Sequence, residues 1–328
     1  MQAPKNTQRQ NSLSLLFEGL KKIRIDVTLP VLLTFILLQI FKIVDLLITN
    51  RTLGNILIIP FQIIIFMLPA WLFARFRNPS RPTEYLAKLR IKLPSPYQIP
   101  LIASGIITMT CGCLFISMLC GGTNSLSEGF TLYNTFVSQS SGGFLETAYL
   151  IIAYAAVPAF CEELIYRGML CKEFEKHNVF CGIIASAVFF ALLHFDVAQF
   201  PVYLFSGIFL ALSMYATGSV IVPMIIHFCY NIMGLFGQTF LNAFYNITGS
   251  LGLFAFLIFT VGMLFSALFC SFASKCYAIR SRSSYIPDRP ILPHPSRLPS
   301  IIGEILLTPW SIASICFYIV VMVVYSAI

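Results

Sequence analysis

Apolar stretches of about twenty residues, each long enough to cross a hydrocarbon core as a helix, recur from residue 27 to the end of the chain. A segment in lipid must satisfy its own backbone polar groups, so the spanning solutions are helices or a closed barrel. Barrel strands are short and alternate in hydropathy, whereas these runs are continuously apolar. The pattern therefore predicts an all-α fold, a polytopic transmembrane helical bundle of about eight to nine spans. They are expected near 27–48, 53–74, 98–120, 144–162, 179–195, 200–216, 219–240, 251–273 and 305–327. With 58% hydrophobic and 10% charged residues and a mean hydropathy of +0.84, the chain lies far from the balance of a soluble domain. About 25 polar residues precede the first run, without a small-residue cleavage pattern, and are not read as a signal peptide.

The net charge of +8 raises the question of an acidic partner, and its distribution answers it. Basic residues gather in alternate loops: Lys21, Lys22 and Arg24; Arg75, Arg77, Arg81, Lys88, Arg90 and Lys92; Lys172 and Lys176; Lys275, Arg280, Arg282, Arg289 and Arg297. The opposite loops (49–53, 121–142, 196–199 and 241–250) carry only Arg51. This is positive-inside bias: it predicts a multi-pass protein of the cell membrane with a cytoplasmic N-terminus, surrounded by membrane lipid. No stripe of interleaved basic and aromatic residues supports a nucleic-acid partner. The ten cysteines include no CxxC pair and lie mostly within apolar runs, where a free thiol behaves as a small hydrophobe.

Four parts are expected: a cytoplasmic N-terminal segment, 1–26; a membrane-embedded domain, 27–276, with a motif core at 148–241; a Pro-rich cytoplasmic linker, 277–304; and an appended C-terminal transmembrane helix, 305–328.

An ionisable side chain at the centre of a membrane helix costs at least ~2.5 kcal/mol, so each one needs a partner or a purpose. Within the predicted spans stand Lys42, Asp45, Glu162, Glu163, Arg167, His194 and His227. Lys42 and Asp45 are three apart on one helix face and are expected to pair. Glu163 and Arg167 are four apart, about 40° from each other, within salt-bridge reach. Glu162 points about 100° away from Glu163 and is left without a local partner. His227 and Asn231 share a helix face, and His194 follows Phe190 by one turn. Counted at 1.5 Å per residue, Glu162 and His194 lie level, ~21 and ~22 Å above the basic side, whereas His227 comes only ~12 Å into its span.

Converging Glu, His, His and Asn side chains support two forms of peptide hydrolysis. In one, His194 and His227, helped by Glu162 or Asn231, hold a divalent metal such as zinc, and a carboxylate deprotonates its bound water. In the other, Glu162 activates water with help from His194, while His227 and Asn231 donate to the developing oxyanion. No HExxH pair or GxSxG elbow is present, and Cys161 points away from Glu162 on the helix. Two readings from other classes stand beside these: a non-enzymatic membrane scaffold or immunity protein whose polar core glues helices, and a proton-coupled transporter, which lacks the expected repeats.

The ordered set EELIYR (Glu162 to Arg167), FALLH (Phe190 to His194) and HFCYN (His227 to Asn231) resembles the CAAX prenyl protease and bacteriocin-processing family, the CPBP or Abi intramembrane proteases, whose pattern is EExxxR, FxxxH and HxxxN/D. The resemblance covers roughly Ala148 to Leu241. It implies an α-helical intramembrane endopeptidase acting on a membrane-associated or lipidated, CAAX-like protein or peptide. Glu162 would be its catalytic carboxylate, His194 and His227 catalytic or metal-binding, Asn231 part of the oxyanion or metal site, and Glu163, Arg167 and Phe190 supporting residues. It also admits a bacteriocin self-immunity protein. The wording around Pro158 looks more like prokaryotic members.

Overall fold

The computed structural model describes residues 26–77, 82–87, 89–121, 131–139, 143–175, 178–283 and 298–327. The N-terminal segment up to residue 25, most of the Pro-rich linker, and Arg81, Lys88 and Lys176 lie outside the described residues. In order the elements are α1 (Thr28–Leu47), α2 (Arg51–Arg77), α3 (Pro82–Ala87), α4 (Ile99–Gly121), α5 (Thr131–Gln139), α6 (Phe144–Phe174), α7 (Val179–Leu193), α8 (Phe200–Thr217), α9 (Ile221–Thr248), α10 (Leu251–Ser283), α11 (Leu298–Leu306) and α12 (Pro309–Ala327). There is no strand among the described residues. Eight of these helices, α1, α2, α4, α6, α8, α9, α10 and α12, are long and apolar enough to cross a membrane; the protein is a multi-pass helical bundle.

Several boundaries differ from the sequence expectation. The predicted span 144–162 ends at its polar pair, yet the helix runs on to Phe174, leaving Glu162 and Glu163 in its interior. The predicted span 179–195 is the 15-residue α7, about 22 Å long and too short to cross alone. The last predicted span, 305–327, is two helices: α11 ends at Leu306, and Pro309 opens α12 at a position where its missing N–H costs nothing. α10 continues to Ser283, into the stretch read as linker.

The helices pack chiefly as α4 along α10, α7 with α8, α1 between α2 and α12, and α9 against α4 and α6. Close approach is set by small residues, as expected where lipid supplies no hydrophobic drive between helices. A Cβ on Gly207 of α8 would stand 2.8 Å from the Ala187 Cα of α7. Outward faces are apolar: Phe256, Leu264, Val320 and Val323 are largely exposed on the bundle surface.

Basic loops close one end of the bundle. Arg77 pairs with Glu173 at 2.8 Å and Arg90 with Glu175 at 2.6 Å, tying α2 and the segment before α4 to the end of α6. The Tyr85 hydroxyl donates to Glu173 at 2.9 Å; burial, reinforced by that carboxylate, raises the phenol's pKa well above its usual value, so it remains a donor. Between α8 and α9, Gly218 takes a left-handed turn at φ 69°, the Ser219 hydroxyl donates to the Lys92 carbonyl, and the Val220 amide donates to the Arg90 carbonyl.

Candidate active site

α6 carries the acidic pair on a helix that changes gauge along its length. It is α-helical over Phe144–Ile151, widens to π-helix over Ile152–Ala156, returns to α over Val157–Glu163, widens again over Leu164–Leu170 and closes as α from Cys171. Single π turns inside α-helices recur at functional sites. Here two of them bracket Glu162 and Glu163.

Glu163 is fully buried, and its Oε1 accepts two charge-assisted bonds: from Arg167 Nη1 at 2.9 Å and from His227 Nδ1 at 3.0 Å. The expected Glu163–Arg167 pair is therefore present, with a third member from α9 that spacing did not foretell. Arg167 is equally buried; its Nη2 donates to the Gly207 carbonyl at 3.2 Å, and the guanidinium lies over the Phe190 ring, 4.4 Å from its centroid. This triad locks α6, α8 and α9 together.

Glu162 is 9% exposed, and its buried Oε2 has no hydrogen-bond partner among the described residues. It faces a cavity of about 490 Å³ whose walls also include Phe190, His194, Tyr203, His227 and Asn231. The sequence-predicted residues Glu162, His194, His227 and Asn231 thus share one hollow. Cys161, 1% exposed, packs into the core instead.

Each histidine has its tautomer set. His194 Nδ1 lies 2.9 Å from the Phe190 carbonyl, which only accepts, so Nδ1 carries the hydrogen and Nε2 keeps its lone pair. His227 Nδ1 donates to the Glu163 carboxylate, again leaving Nε2. Asn231 Nδ2 donates to the Ala155 carbonyl, at 3.5 Å, in the first π turn of α6. Phe190 stands at the hub, edge-on to Tyr166, His194 and His227 at centroid distances of 5.5, 5.0 and 5.8 Å.

Two residues that sequence reasoning missed hold His194. Tyr203 of α8 stacks on its imidazole at 3.7 Å and 14°. Phe195 adopts φ 49°, a left-handed conformation unusual for a bulky side chain, and its ring meets Phe35 of α1 and Phe317 and Tyr318 of α12. Spacing reveals neither contact; a Tyr near the start of the helix after FALLH was the one available signal.

One expectation is corrected. Lys42 and Asp45 do not pair; the Lys42 ammonium donates to the Tyr325 hydroxyl at 3.3 Å and lies over that ring, because α12 packs along α1 and offers it an aromatic face. Of the residues expected as metal ligands, His194, His227 and Glu162 all line the cavity, and among the described residues no group of three or more His, Cys, Asp and Glu side chains is gathered as a metal site.

Residues 144–233 match the family model described as type II CAAX prenyl endopeptidase Rce1-like. The chain carries an Rce1-like domain. It supports the CPBP/CAAX intramembrane protease resemblance read from the three motifs, all of which fall inside it. The Rce1-like domain extends from the first turn of α6 into α9, while α1, α2, α4, α10 and α12 lie outside it. No curated protein and no solved structure matches the chain.

Proposed function

We propose that the chain is an intramembrane endopeptidase in which Glu162 activates water against a peptide bond of a membrane-associated protein or peptide. One observation carries this reading: a buried carboxylate oxygen without a partner faces a cavity shared with two imidazoles and an amide. The Rce1-like match supports protease activity of the CAAX type.

Glu162, as the carboxylate, takes a proton from water while the water oxygen bonds to the scissile carbonyl carbon. His194, with Nε2 as an acceptor, orients that water. The carbonyl oxygen becomes an oxyanion, and Asn231 donates to it. His227 donates from Nε2 only as an imidazolium, for which Glu163 is the counter-ion in place. The proton held by Glu162 then passes to the departing amine as the carbon–nitrogen bond breaks, restoring the carboxylate. Glu163, Arg167 and Phe190 position these groups without touching substrate. No step is routed through a metal.

The test is hydrolysis of a quenched fluorescent peptide library by purified protein in detergent. Glu162→Gln is expected to abolish cleavage, with thermal stability within about 1 kcal/mol of the parent; undiminished cleavage would remove Glu162 from the mechanism. Chelator treatment is expected to leave activity unchanged. Loss of activity on chelation, restored by zinc, would instead favour the metal-bound alternative with His194, His227 and Glu162 as ligands.

A further inference from the structure

The wall that α2 gives to the cavity carries one polar side chain. Gln62, Ile65 and Phe66 line it, a spacing of three and four residues that sets all three on one helix face. Ile65 and Phe66 are buried apolar residues. Gln62 departs from that pattern: its Oε1 is buried and has no hydrogen-bond partner among the described residues. A buried acceptor left unpaired forfeits its hydration without compensation, so such groups in folded proteins are nearly always matched. Here no neighbouring side chain supplies the match, and the space beside Gln62 is the cavity that Glu162 faces.

α2 holds this amide at a set height relative to α6. Pro60 lacks the N–H that would bond the Ile56 carbonyl one turn back, and the Tyr149 hydroxyl of α6 donates to that carbonyl at 2.8 Å. Toward the other end Arg77 of α2 pairs with Glu173 of α6, and between these ties α2 packs against the Val157–Glu163 stretch. The two helices therefore run side by side in the same direction. Gln62 lies fifteen residues before Arg77, and Glu162 eleven before Glu173, so the amide stands about 6 Å farther along the bundle than the carboxylate. That is the length of roughly two extended residues.

We infer that Gln62 is a substrate-binding residue, whose side-chain amide holds the backbone of the bound polypeptide roughly two residues from the bond that Glu162 addresses. The inference deepens the proposed protease reading and rests on it for the identity of that bond. A primary amide offers an acceptor and two donors. An extended residue presents its own N–H and C=O on the same edge, so Oε1 accepts from the one while Nε2 donates to the other. A residue inside a helix has both groups bonded one turn away and offers neither. The contact reads backbone, so it selects an unwound stretch and is indifferent to the side chain at that position. It comes from α2, outside the Rce1-like match.

Binding is tested by fluorescence polarisation on the full chain in detergent, carrying Glu162→Gln so that bound peptides stay intact. The probes are a pool of fluorescently labelled peptides and the same pool with every backbone nitrogen methylated, which removes the N–H donors. Adding Gln62→Met, which keeps the side-chain length and deletes the amide, is expected to weaken binding of the first pool about tenfold and of the methylated pool at most about threefold, as for two net hydrogen bonds against one. Gln62→Leu is expected to do the same. Equal losses for both pools, no loss for either, or failure of the first pool to bind the parent would overturn the proposal. In the active chain, a single N-methyl group moved along the fastest-cleaved peptide is expected to raise KM severalfold, with kcat nearly unchanged, about two residues from the cut, and to cost nothing further there in Gln62→Met. A cost that persists undiminished in Gln62→Met would overturn the placement. If no peptide is cleaved, the hydrolase reading falls while the polarisation measurement still decides whether Gln62 holds a peptide.

Discussion

Two adjacent glutamates of one helix meet opposite fates. Glu163 is met from two directions at Oε1, by Arg167 on its own helix and His227 on α9, with only its Oε2 left without a partner, whereas Glu162 forms no ion pair among the described residues and its buried Oε2 is unpartnered. Removing one member of a buried ion pair typically costs about 3–5 kcal/mol because the other charge is stranded. Arg167→Met is therefore expected to destabilise the protein by about that amount, read by thermal unfolding in detergent, while Glu162→Gln is nearly neutral in stability and null in hydrolysis. A scaffold role for the polar core predicts no functional loss from Glu162→Gln. Tyr203 belongs at the same scale: because it holds His194 by stacking, Tyr203→Ala is expected to lower kcat roughly 10- to 100-fold with KM little changed. Tyr203→Phe, which keeps the ring, restores the rate.

At the scale of elements, the site depends on how closely α7 and α8 approach. Gly207 lets α8 lie against the Ala187 backbone and turns its carbonyl to Arg167. A methyl there must push the two helices apart, so Gly207→Ala is expected to cost about 1–3 kcal/mol and to lower activity with it, measured as the unfolding midpoint and the hydrolysis rate of one preparation. The π turns of α6 act at this scale too. They bracket the acidic pair, and the first supplies the Ala155 carbonyl that holds Asn231.

Across the whole molecule, helices outside the Rce1-like domain hold part of the site inside it. Phe195, next to His194, is wedged against Phe35 of α1 and Phe317 and Tyr318 of α12. Its left-handed backbone persists because those rings surround it. The double substitution Phe317→Ala with Tyr318→Ala is expected to reduce hydrolysis severalfold although it replaces no residue of 144–233, and to lower the unfolding midpoint by removing two aromatic contacts to Phe195. Unchanged kinetics would show that α12 serves only to anchor the chain.

The apolar runs alone determined the helical membrane class, because no other backbone arrangement satisfies such segments in lipid. The i, i+4 spacing determined the Glu163–Arg167 pair, because that contact is local. The three motifs also marked out Glu162, His194, His227 and Asn231 as the groups to watch. Tertiary packing decided what no local pattern encodes. It placed His227 on Glu163, stacked Tyr203 on His194, turned Lys42 from Asp45 to Tyr325, and fixed how far each helix ran past its apolar stretch. Each of these is a contact between helices distant in the chain, and in lipid such contacts follow from shape and close approach, which a residue's spacing from its own neighbours does not carry.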